Sequence, residues 1–448
     1  MNDVTFRIML VAKMIWKLDS YLFDVETAFL LGKLDEEIYM QIPPGMETDG
    51  DECLLLVKAC YGLVQAAIQF FKFWKNILVN KLGFKSSLAD PCLFHRGSGR
   101  DLVLICLYVD DGYAIGRKEN ILRFFEEVRA QKVKITTEES LGDYLSCEVK
   151  FNKDLSKAWL GQPHMIKKIE QTFGDEVSKL GTYKTPGTPG FSIIRPKGDD
   201  ITVSAEMQSR YRSGVGMLLF LVKHSRPDIS NAVRELTKCM DGASPAAYKE
   251  MLRLIKMVLD TKTKGLKMVP TMSGQGLTWN IVLYSDSDWA GDKDNRRSVS
   301  GFIMFLCGVP IMWRSKQQKT VALSSSEAEY VALSESVKEI LFVVMILESV
   351  GIKVEKPVVV RVDNMGAIYM SENATTASRT RHVDTRFHFV RERIAGKEIV
   401  IVFVRSQENK SDGFTKNVKT EIYEDHSSDM VWDKSEVSDS HCRKGVKE

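Results

Sequence analysis

Apolar and polar positions repeat along the chain at intervals that predict its helices and strands. Apolar residues at helical spacing predict an amphipathic helix over residues 1–20 and a second helix over residues 61–82, which Gly83 ends. Two apolar runs flank Asp111-Gly112 and predict a β-hairpin with its turn at that pair. The first part of the chain therefore mixes helices with strands.

The rest of the chain continues this mixture. The Pro- and Gly-containing polar run over residues 185–200 predicts a linker, and residues 211–259 have a mainly helical pattern. A long helix is predicted from residue 324 to about residue 349. Residues from 420 onward are polar and mixed in charge, and we expect them to be disordered. A helix is also predicted over residues 121–128, a turn and strand over 141–149, and further strands over 281–286, 299–305, 358–362 and 399–404.

Carboxylates stand at the tip of the predicted hairpin and at the end of an earlier apolar run. Asp110 and Asp111 follow the first half of the hairpin, and Asp24 ends the run that begins at Tyr21. Like charges held close together disfavour joint ionisation, and a divalent cation with a preference for oxygen ligands relieves the repulsion. Taken alone, however, an Asp-Asp-Gly sequence is more typical of a solvated turn.

A second set of carboxylates follows in the last third of the chain. Asp286 and Asp363 end predicted strands, Glu329 lies near the start of the long helix, and Asp412 follows the last strand. Each acid taken singly is more typical of a helix cap or a solvated turn. Ser326 and Glu329, for example, match the Ser-x-x-Glu pattern of a capping box. The order of the four acids along the chain distinguishes them from isolated caps and turns: an Asp at a strand end, a Glu on a helix, an Asp at a second strand end and a late Asp.

The blocks DVETAFLLGKLDEEIYMQIPPGM, CYGLVQA and YVDD, in this order, resemble the reverse transcriptase of copia-type LTR retrotransposons. The resemblance implies that Asp24, Asp110 and Asp111 hold two Mg²⁺ ions, which activate a primer 3′-hydroxyl and stabilise phosphoryl transfer. Phe29 is implied to exclude the ribose 2′-hydroxyl. The residues implied to bind nucleotide are Phe29, Gln65 and Tyr108.

Three departures from that family predict weak polymerase activity. Family members usually have Pro-Arg where this chain has Ala67-Ile68, and isoleucine cannot replace an arginine that contacts phosphate. A glycine is usual where Ser146 or Cys147 stands, in the segment that resembles the primer grip. The basic fingers region expected before residue 1 is absent from this sequence. We therefore expect the chain to extend a primer poorly or not at all.

The later blocks YSDSDWAGD, SSSEAEYVALSE, VDN and SRTRHVDTRFHFVRERI resemble the ribonuclease H domain of the same family. That resemblance implies that Asp286, Glu329, Asp363 and Asp412 hold two Mg²⁺ ions around the scissile phosphate of an RNA–DNA hybrid. The arginines of the last block suit phosphate contacts, although a solvated helical face is the alternative. These arginines are Arg379, Arg381, Arg386, Arg391 and Arg393.

Composition limits the remaining possibilities. The chain has 448 residues, enough for several domains, with 44% hydrophobic and 27% charged residues. A formal charge of +3 is too small to indicate nucleic-acid binding by itself. The eight cysteines include no Cys-x-x-Cys pair, and no apolar run approaches the roughly 20 residues that span a bilayer. We expect an intracellular protein, in a cytoplasmic particle or the nucleus, without a membrane partner.

The expected architecture is multi-domain, with α/β and α+β parts. It comprises a truncated reverse-transcriptase palm and thumb (1–184), a linker and helical connection (185–274), a ribonuclease H-like domain with a mixed sheet (275–418) and a disordered tail (419–448). The expected partners are an RNA template, a DNA primer, RNA–DNA hybrid, dNTPs and other parts of a parent polyprotein. The alternative is a catalytically inactive transposon relic that at most binds nucleic acid.

Overall fold

The structure is a computed structural model that describes residues 2–46, 50, 52–139, 141–272, 278–372 and 381–438, the side chains of residues 381–387 excepted. The chain divides into two compact units. Unit 1 comprises Met1–Met9, Leu18–Leu141 and Ser349–Gly351, and unit 2 comprises Leu10–Lys17, Gly142–Glu348 and Ile352–Glu448. Within the described ranges, none of the helices is both long enough and apolar enough to cross a membrane.

Unit 1 is built on an antiparallel sheet of six strands in the order β4-β5-β6-β7-β1-β8. A separate two-stranded pair, β2 and β3, lies outside this sheet. The strands are β1 (Asp19–Val25), β2 (Tyr39–Met40), β3 (Leu54–Leu55), β4 (Lys85–Ser86), β5 (Leu93–Arg96), β6 (Val103–Tyr108), β7 (Asp111–Gly116) and β8 (Ile135–Glu138). The helices are α1 (Asp3–Trp16), through which the division between the units passes, α2 (Ala66–Lys75), continued by a π-helix over Asn76–Lys81, and α3 (Lys118–Ala130).

The first predicted helix is present as α1. Residues 4–15 are all buried, including the charged Arg7 at 4% exposure and Lys13 at 8%. Helical spacing of apolar residues therefore located the element correctly, whereas the burial of its charged residues is not a feature that this spacing predicts.

The predicted hairpin is present as β6 and β7, but its turn lies two residues earlier than expected. Tyr108 pairs with Asp111, so Val109 and Asp110 form the turn, and Val109 has φ of 58°. A β-branched residue in this left-handed region is unusual and strained. Gly112 lies within β7, where a Cβ atom would come within 2.1 Å of Phe23 Cζ. Its role is thus close packing rather than turn formation.

Unit 2 contains a five-stranded sheet, a four-stranded sheet and the pair β12–β16. Its strands are β9 (Glu148–Phe151), β10 (Ala158–Gly161), β11 (Lys264–Met268), β12 (Thr278–Trp279), β13 (Ile281–Asp288), β14 (Val299–Leu306), β15 (Val309–Gln317), β16 (Lys353–Val354), β17 (Val358–Val362), β18 (Ile399–Phe403) and β19 (Val431–Asp433). Its helices are α4 (Pro163–Val177), α5 (Ala205–His224), α6 (Ser230–Leu236), α7 (Pro245–Asp260), α8 (Ser325–Ser349), α9 (Met365–Glu372), α10 (Arg381–Ala395) and α11 (Thr420–Ser428).

The five-stranded sheet has the order β15-β14-β13-β17-β18. β15, β14 and β13 are antiparallel neighbours, whereas β13, β17 and β18 run parallel to one another. This mixed sheet and the long helix α8 confirm the fold class expected for this part of the chain. The parallel pair matters most for the site, because the carboxyl ends of β13 and β17 meet at one edge of the sheet.

The helices α4 to α7 pack around their own apolar core, which confirms the predicted helical region. The segment predicted as a linker, residues 185–200, contains no helix or strand but is held against this core. Ile193 is buried, and the Glu235 carboxylate accepts hydrogen bonds from the Ile193 amide (2.8 Å) and the Ser192 hydroxyl (3.0 Å). Residues 185–200 therefore form an irregular segment packed on α6.

The four-stranded sheet has the order β19-β11-β10-β9 and joins residues far apart in sequence. Because β9 and β10 pair with β11, residues 142–184 belong to unit 2, whereas the predicted domain boundary lay at residue 184. The segment before β9 contains Ser146 with φ of 60°, a conformation that favours glycine. Ser146 is one of the two positions, with Cys147, at which the resemblance led us to expect a glycine.

The prediction of a disordered tail from residue 419 is wrong for residues 420–438, and residues 439–448 lie outside the described residues. Residues 420–438 form α11, β19 and a 3₁₀ turn. The Tyr423 hydroxyl donates to Asp228 Oδ2 (2.8 Å), and Asp228 accepts two hydrogen bonds from Arg226 (2.9 and 2.8 Å). A polar helix is ordered here because its few buried side chains find partners that local composition does not reveal.

Candidate functional site

Three carboxylates predicted from the sequence lie together at the edge of the five-stranded sheet. Asp286 lies near the end of β13 and Asp363 directly follows β17, its parallel neighbour. Glu329 reaches them from the first turns of α8. One carboxylate oxygen from each of the three residues lies within 4.8 Å of the other two. This spacing is suited to three ligands of one metal ion.

Glu329 is available for this group because another residue caps the helix. The Ser324 hydroxyl accepts from the Glu327 amide (3.1 Å), and the Glu327 carboxylate accepts from the Leu323 amide (2.8 Å). The capping box is therefore formed two residues earlier than the Ser326–Glu329 pair that the sequence suggested. Glu329 is 5% exposed, and its Oε1 accepts from the Ser287 amide (3.0 Å).

The fourth predicted carboxylate, Asp412, approaches Asp286 from the turn that follows β18. Asn409 fixes this turn, because its Nδ2 donates to the Ser285 carbonyl (3.1 Å) and its Oδ1 accepts from the Ser411 hydroxyl (2.6 Å). The Thr415 hydroxyl from the same turn donates to Asp286 Oδ2. Asp412 is 4% exposed and lies outside the three-ligand group. The four acids thus form a group of three with a fourth beside Asp286.

Burial and the charges of neighbouring acids make Asp286, Glu329 and Asp412 hard to ionise. Burial, followed by the charge of Asp412, raises the pKa of Asp286 to about 7. Burial, followed by the charges of Asp286 and Asp363, raises the pKa of Glu329 well above its ordinary range. Burial also raises the pKa of Asp412. Acidic groups with raised pKa values clustered at one place are typical of functional sites.

These residues fit a divalent cation with a preference for oxygen. All the candidate ligands are carboxylate oxygens, the donors that Mg²⁺ prefers. Glu329 Oε2 is buried and has no hydrogen-bond partner among the described residues. An oxygen left in this state is costly unless a cation or water binds it. Asp286, Glu329 and Asp363 would hold one ion, and Asp286 together with Asp412 would contribute to a second.

Sequence reasoning missed a lysine at this site. Lys416 Nζ lies 2.5 Å from Asp412 Oδ1. The Lys416 side chain is half exposed. Its partial burial lowers the pKa of Lys416, but the charges of Asp286 and Asp412 outweigh this effect and raise the pKa above its ordinary value. Asp288 also faces Lys416, and burial raises the pKa of Asp288 in turn. The spacing of four residues between Asp412 and Lys416 was the available signal.

The three acids predicted for polymerase chemistry lie at one end of the unit 1 sheet. Asp24 and Asp111 are register partners on β1 and β7, and the Val25 amide donates to the Asp110 carbonyl (3.2 Å). Burial, followed by the charge of Asp110, raises the pKa of Asp24. Within the described part of the chain, the side chains of these acids do not form a three-ligand group as close as the one in unit 2.

The predicted nucleotide-binding residues lie on elements that flank these acids in sequence. Phe29 lies in the 3₁₀ turn Ala28–Leu31, with its ring 4.7 Å from that of Tyr61 between centroids. Gln65 directly precedes α2, and Tyr108 ends β6 with 43% of its surface exposed. Ile68, the position at which the resemblance led us to expect arginine, is half exposed on α2. The roles assigned to these residues stay predictions.

Comparison with known proteins gives the family. The family described as "Reverse transcriptase (RNA-dependent DNA polymerase)" matches residues 4–186. The "Retrovirus-related Pol polyprotein from transposon TNT 1-94" of Nicotiana tabacum is 30% identical over 90% of this chain. The corresponding polyprotein from transposon RE1 of Arabidopsis thaliana is 31% identical, also over 90% of the chain. The chain belongs to the copia-type retrotransposon Pol family.

This chain spans 30% and 27% of the lengths of these two Pol polyproteins. Among solved structures, LC11-RNase H1 in complex with RNA/DNA hybrid aligns with 30% of this chain and 94% of its own chain. That alignment has 15% sequence identity and a TM-score of 0.24, a similarity too low to support a conclusion. Family membership therefore rests on the sequence matches to Pol polyproteins.

The arginine-rich block of this Pol chain is described only in part. Arg379 lies outside the described residues, and Arg381 and Arg386 lie on α10 with side chains that are not described. Arg391 donates to the Met370 carbonyl through Nε (3.1 Å) and Nη2 (2.9 Å). Arg393 pairs with Glu398 (2.9 Å) and Glu392 (3.1 Å). The last two arginines thus make contacts within the fold.

Proposed function

We propose that unit 2 is a Mg²⁺-dependent ribonuclease that cuts the RNA strand of an RNA–DNA hybrid. The observation that carries this proposal is the three-ligand group of Asp286, Glu329 and Asp363, of which the first two are buried, with Asp412 beside it. Ions bound there supply charge stabilisation and an activated water for phosphodiester hydrolysis. Membership in the copia-type Pol family supports the choice of a nucleic-acid substrate.

The residues of the chain have separate tasks in this proposal. Asp286, shared between the two halves of the site, would hold both ions, while Glu329 and Asp363 complete the ligands of one of them. Asp412 completes the other. Asn409 and Thr415 position the turn and the Asp286 carboxylate through hydrogen bonds that involve no ion. Burial excludes bulk water from the carboxylates and strengthens their attraction for cations.

The test is cleavage of a labelled RNA–DNA hybrid by the purified chain with Mg²⁺. Asp363→Asn removes one ligand charge and should abolish cleavage, because three carboxylates are needed to hold the ion. Circular dichroism and thermal unfolding should show an intact fold, since Asp363 lies at the end of a strand rather than in the core. A matched control is Asp429→Asn, which removes a carboxylate that contacts Lys410. If the unmodified chain leaves the hybrid uncut, the alternative of an inactive relic is favoured.

We also propose a second function, RNA-directed DNA polymerase activity in unit 1, which the departure at Ala67-Ile68 should keep weak. The match of residues 4–186 to the reverse transcriptase family and the register of Asp24 with Asp111 favour it. Asp24, Asp110 and Asp111 would hold the ions, and Phe29, Gln65 and Tyr108 would contact the dNTP. Primer extension on an RNA template tests the proposal. Any extension should disappear in Asp110→Asn, and extension that survives in this variant contradicts the assignment.

A further inference from the structure

The acidic site of unit 2 has two parts, and Lys416 lies in one of them. On one side, oxygens of Asp286, Glu329 and Asp363 lie within 4.8 Å of one another. On the other side, the carboxylate of Asp412 lies 2.5 Å from the ammonium of Lys416. Asp286 is the acid that both sides share, because its charge acts on Glu329 as well as on Lys416. The cation already present in the chain is therefore on the Asp412 side.

The surroundings of Lys416 are suited to holding a charge. Asp286 and Asp288 face it from β13, and Asp412 faces it from its own turn. Arg234 of α6 also acts on Asp288, and His426 of α11 acts on Asp412. Arg234 Nη2 forms an ion pair with Glu235 Oε1 (2.5 Å) and donates a hydrogen bond to Asn231 Oδ1 (2.8 Å). Lys416 is thus the cation that compensates Asp412.

Two positive charges that contact one carboxylate repel each other. A second divalent ion held by Asp286 and Asp412 would lie close to the ammonium of Lys416, which is 2.5 Å from Asp412 Oδ1. We propose that Lys416 is a tethered counter-cation: it stabilises the Asp412 side of the site when no second ion is bound there, and its charge opposes the binding of a second ion. The catalytic role of a second ion rests on the proposed nuclease function, whereas the effect of Lys416 on the binding of that ion does not.

The proposal predicts two effects of removing the ammonium. Lys416→Met keeps the length of the side chain and removes its charge, so a buried carboxylate loses its partner and the metal-free protein loses stability. The same change removes the competitor, so the second ion binds more tightly. We expect a melting temperature several degrees lower in EDTA and a second dissociation constant for Mg²⁺ at least tenfold smaller. Lys416→Arg keeps the charge and should behave as the unmodified chain does.

The experiment uses the full chain, treated with chelator and titrated with Mg²⁺ in a calorimeter, together with thermal unfolding in EDTA. Lys410→Met is the matched control, because Lys410 pairs with Asp425 (2.9 Å) and Asp429 (3.1 Å) rather than with the acidic site. It should leave the Mg²⁺ isotherm unchanged. Each isotherm includes any ion that unit 1 binds, so the comparison is made between variants.

A double variant keeps the test decisive if Lys416→Met does not fold. Asp412→Asn with Lys416→Met removes both charges and should restore the fold and much of the lost melting temperature. A double variant no more stable than the single one overturns the proposal, as does an isotherm for Lys416→Met that matches Lys410→Met. Absence of Mg²⁺ binding by every variant overturns it as well. Tight binding of two ions without hybrid cleavage refutes the nuclease and leaves the counter-cation role in place.

Discussion

Neutralising Asp286 should stabilise the metal-free protein, although it removes the central ligand of the site. The native state raises the pKa of Asp286 from 3.8 to about 7, which means that the folded protein holds the proton more tightly than the unfolded chain does. The contribution of this acid to stability is therefore lost as the pH rises from about 4 through about 7. Asp286→Asn keeps the shape of the side chain and removes this loss.

The magnitude follows from the shift in pKa. A shift of about 3 units at roughly 1.4 kcal/mol per unit gives about 4 kcal/mol at pH 8. At pH 5 Asp286 is protonated in the folded protein but mostly ionised in the unfolded chain. The destabilisation then depends on the difference between pH 5 and the unfolded pKa of 3.8 and amounts to about 2 kcal/mol. The free energy of unfolding gained by Asp286→Asn should therefore be about twice as large at pH 8 as at pH 5.

Native-state hydrogen exchange in EDTA can measure this gain in unit 2 alone. Peptides from β13 and β17 report the opening free energy, once intrinsic exchange rates are corrected at each pH. Asp425→Asn is the control of opposite sign, because its hydrogen bond with Lys410 lowers the pKa of Asp425. A gain in Asp286→Asn that is the same at pH 5 and pH 8, or a loss at both, would refute the reasoning. Added Mg²⁺ should stabilise the unmodified chain more than the variant.

Two further predictions concern nucleic acid. Replacing Arg379, Arg381 and Arg386 with alanine should flatten the logarithmic salt dependence of hybrid binding by about 0.7 to 0.9 for each phosphate that is no longer neutralised. Arg391→Ala, which removes a side chain hydrogen-bonded to the Met370 carbonyl, should lower stability and leave this slope unchanged. An unchanged slope in the triple variant would assign Arg379, Arg381 and Arg386 to a solvated face. Ile68→Arg should raise primer extension on an RNA template, because a half-exposed position on α2 gains a bidentate phosphate donor, and no gain would show that residue 68 does not limit the reaction.

The sequence by itself determined which elements carry the acids. Strand periodicity placed Asp286 and Asp363 at strand ends, and helical periodicity placed Glu329 near the start of α8. The parallel pairing of β13 with β17 then brings two of these ends together, since the carboxyl ends of parallel neighbours share one edge. Local spacing was sufficient for these features because the period of a helix or strand depends on neighbouring residues alone.

Only the tertiary structure decided which partner each of these elements meets. Phe23 packs on Gly112, a contact between residues almost ninety positions apart, and the hairpin turn lies at Val109 and Asp110 instead of at Gly112. Tyr423 reaches the buried Asp228, and this hydrogen bond helps to order a segment whose composition predicts disorder. The approach of Lys416 to Asp286 and Asp288 of β13 is of the same kind. Contacts between distant residues form only after the chain has folded, so the pattern within a segment cannot specify them.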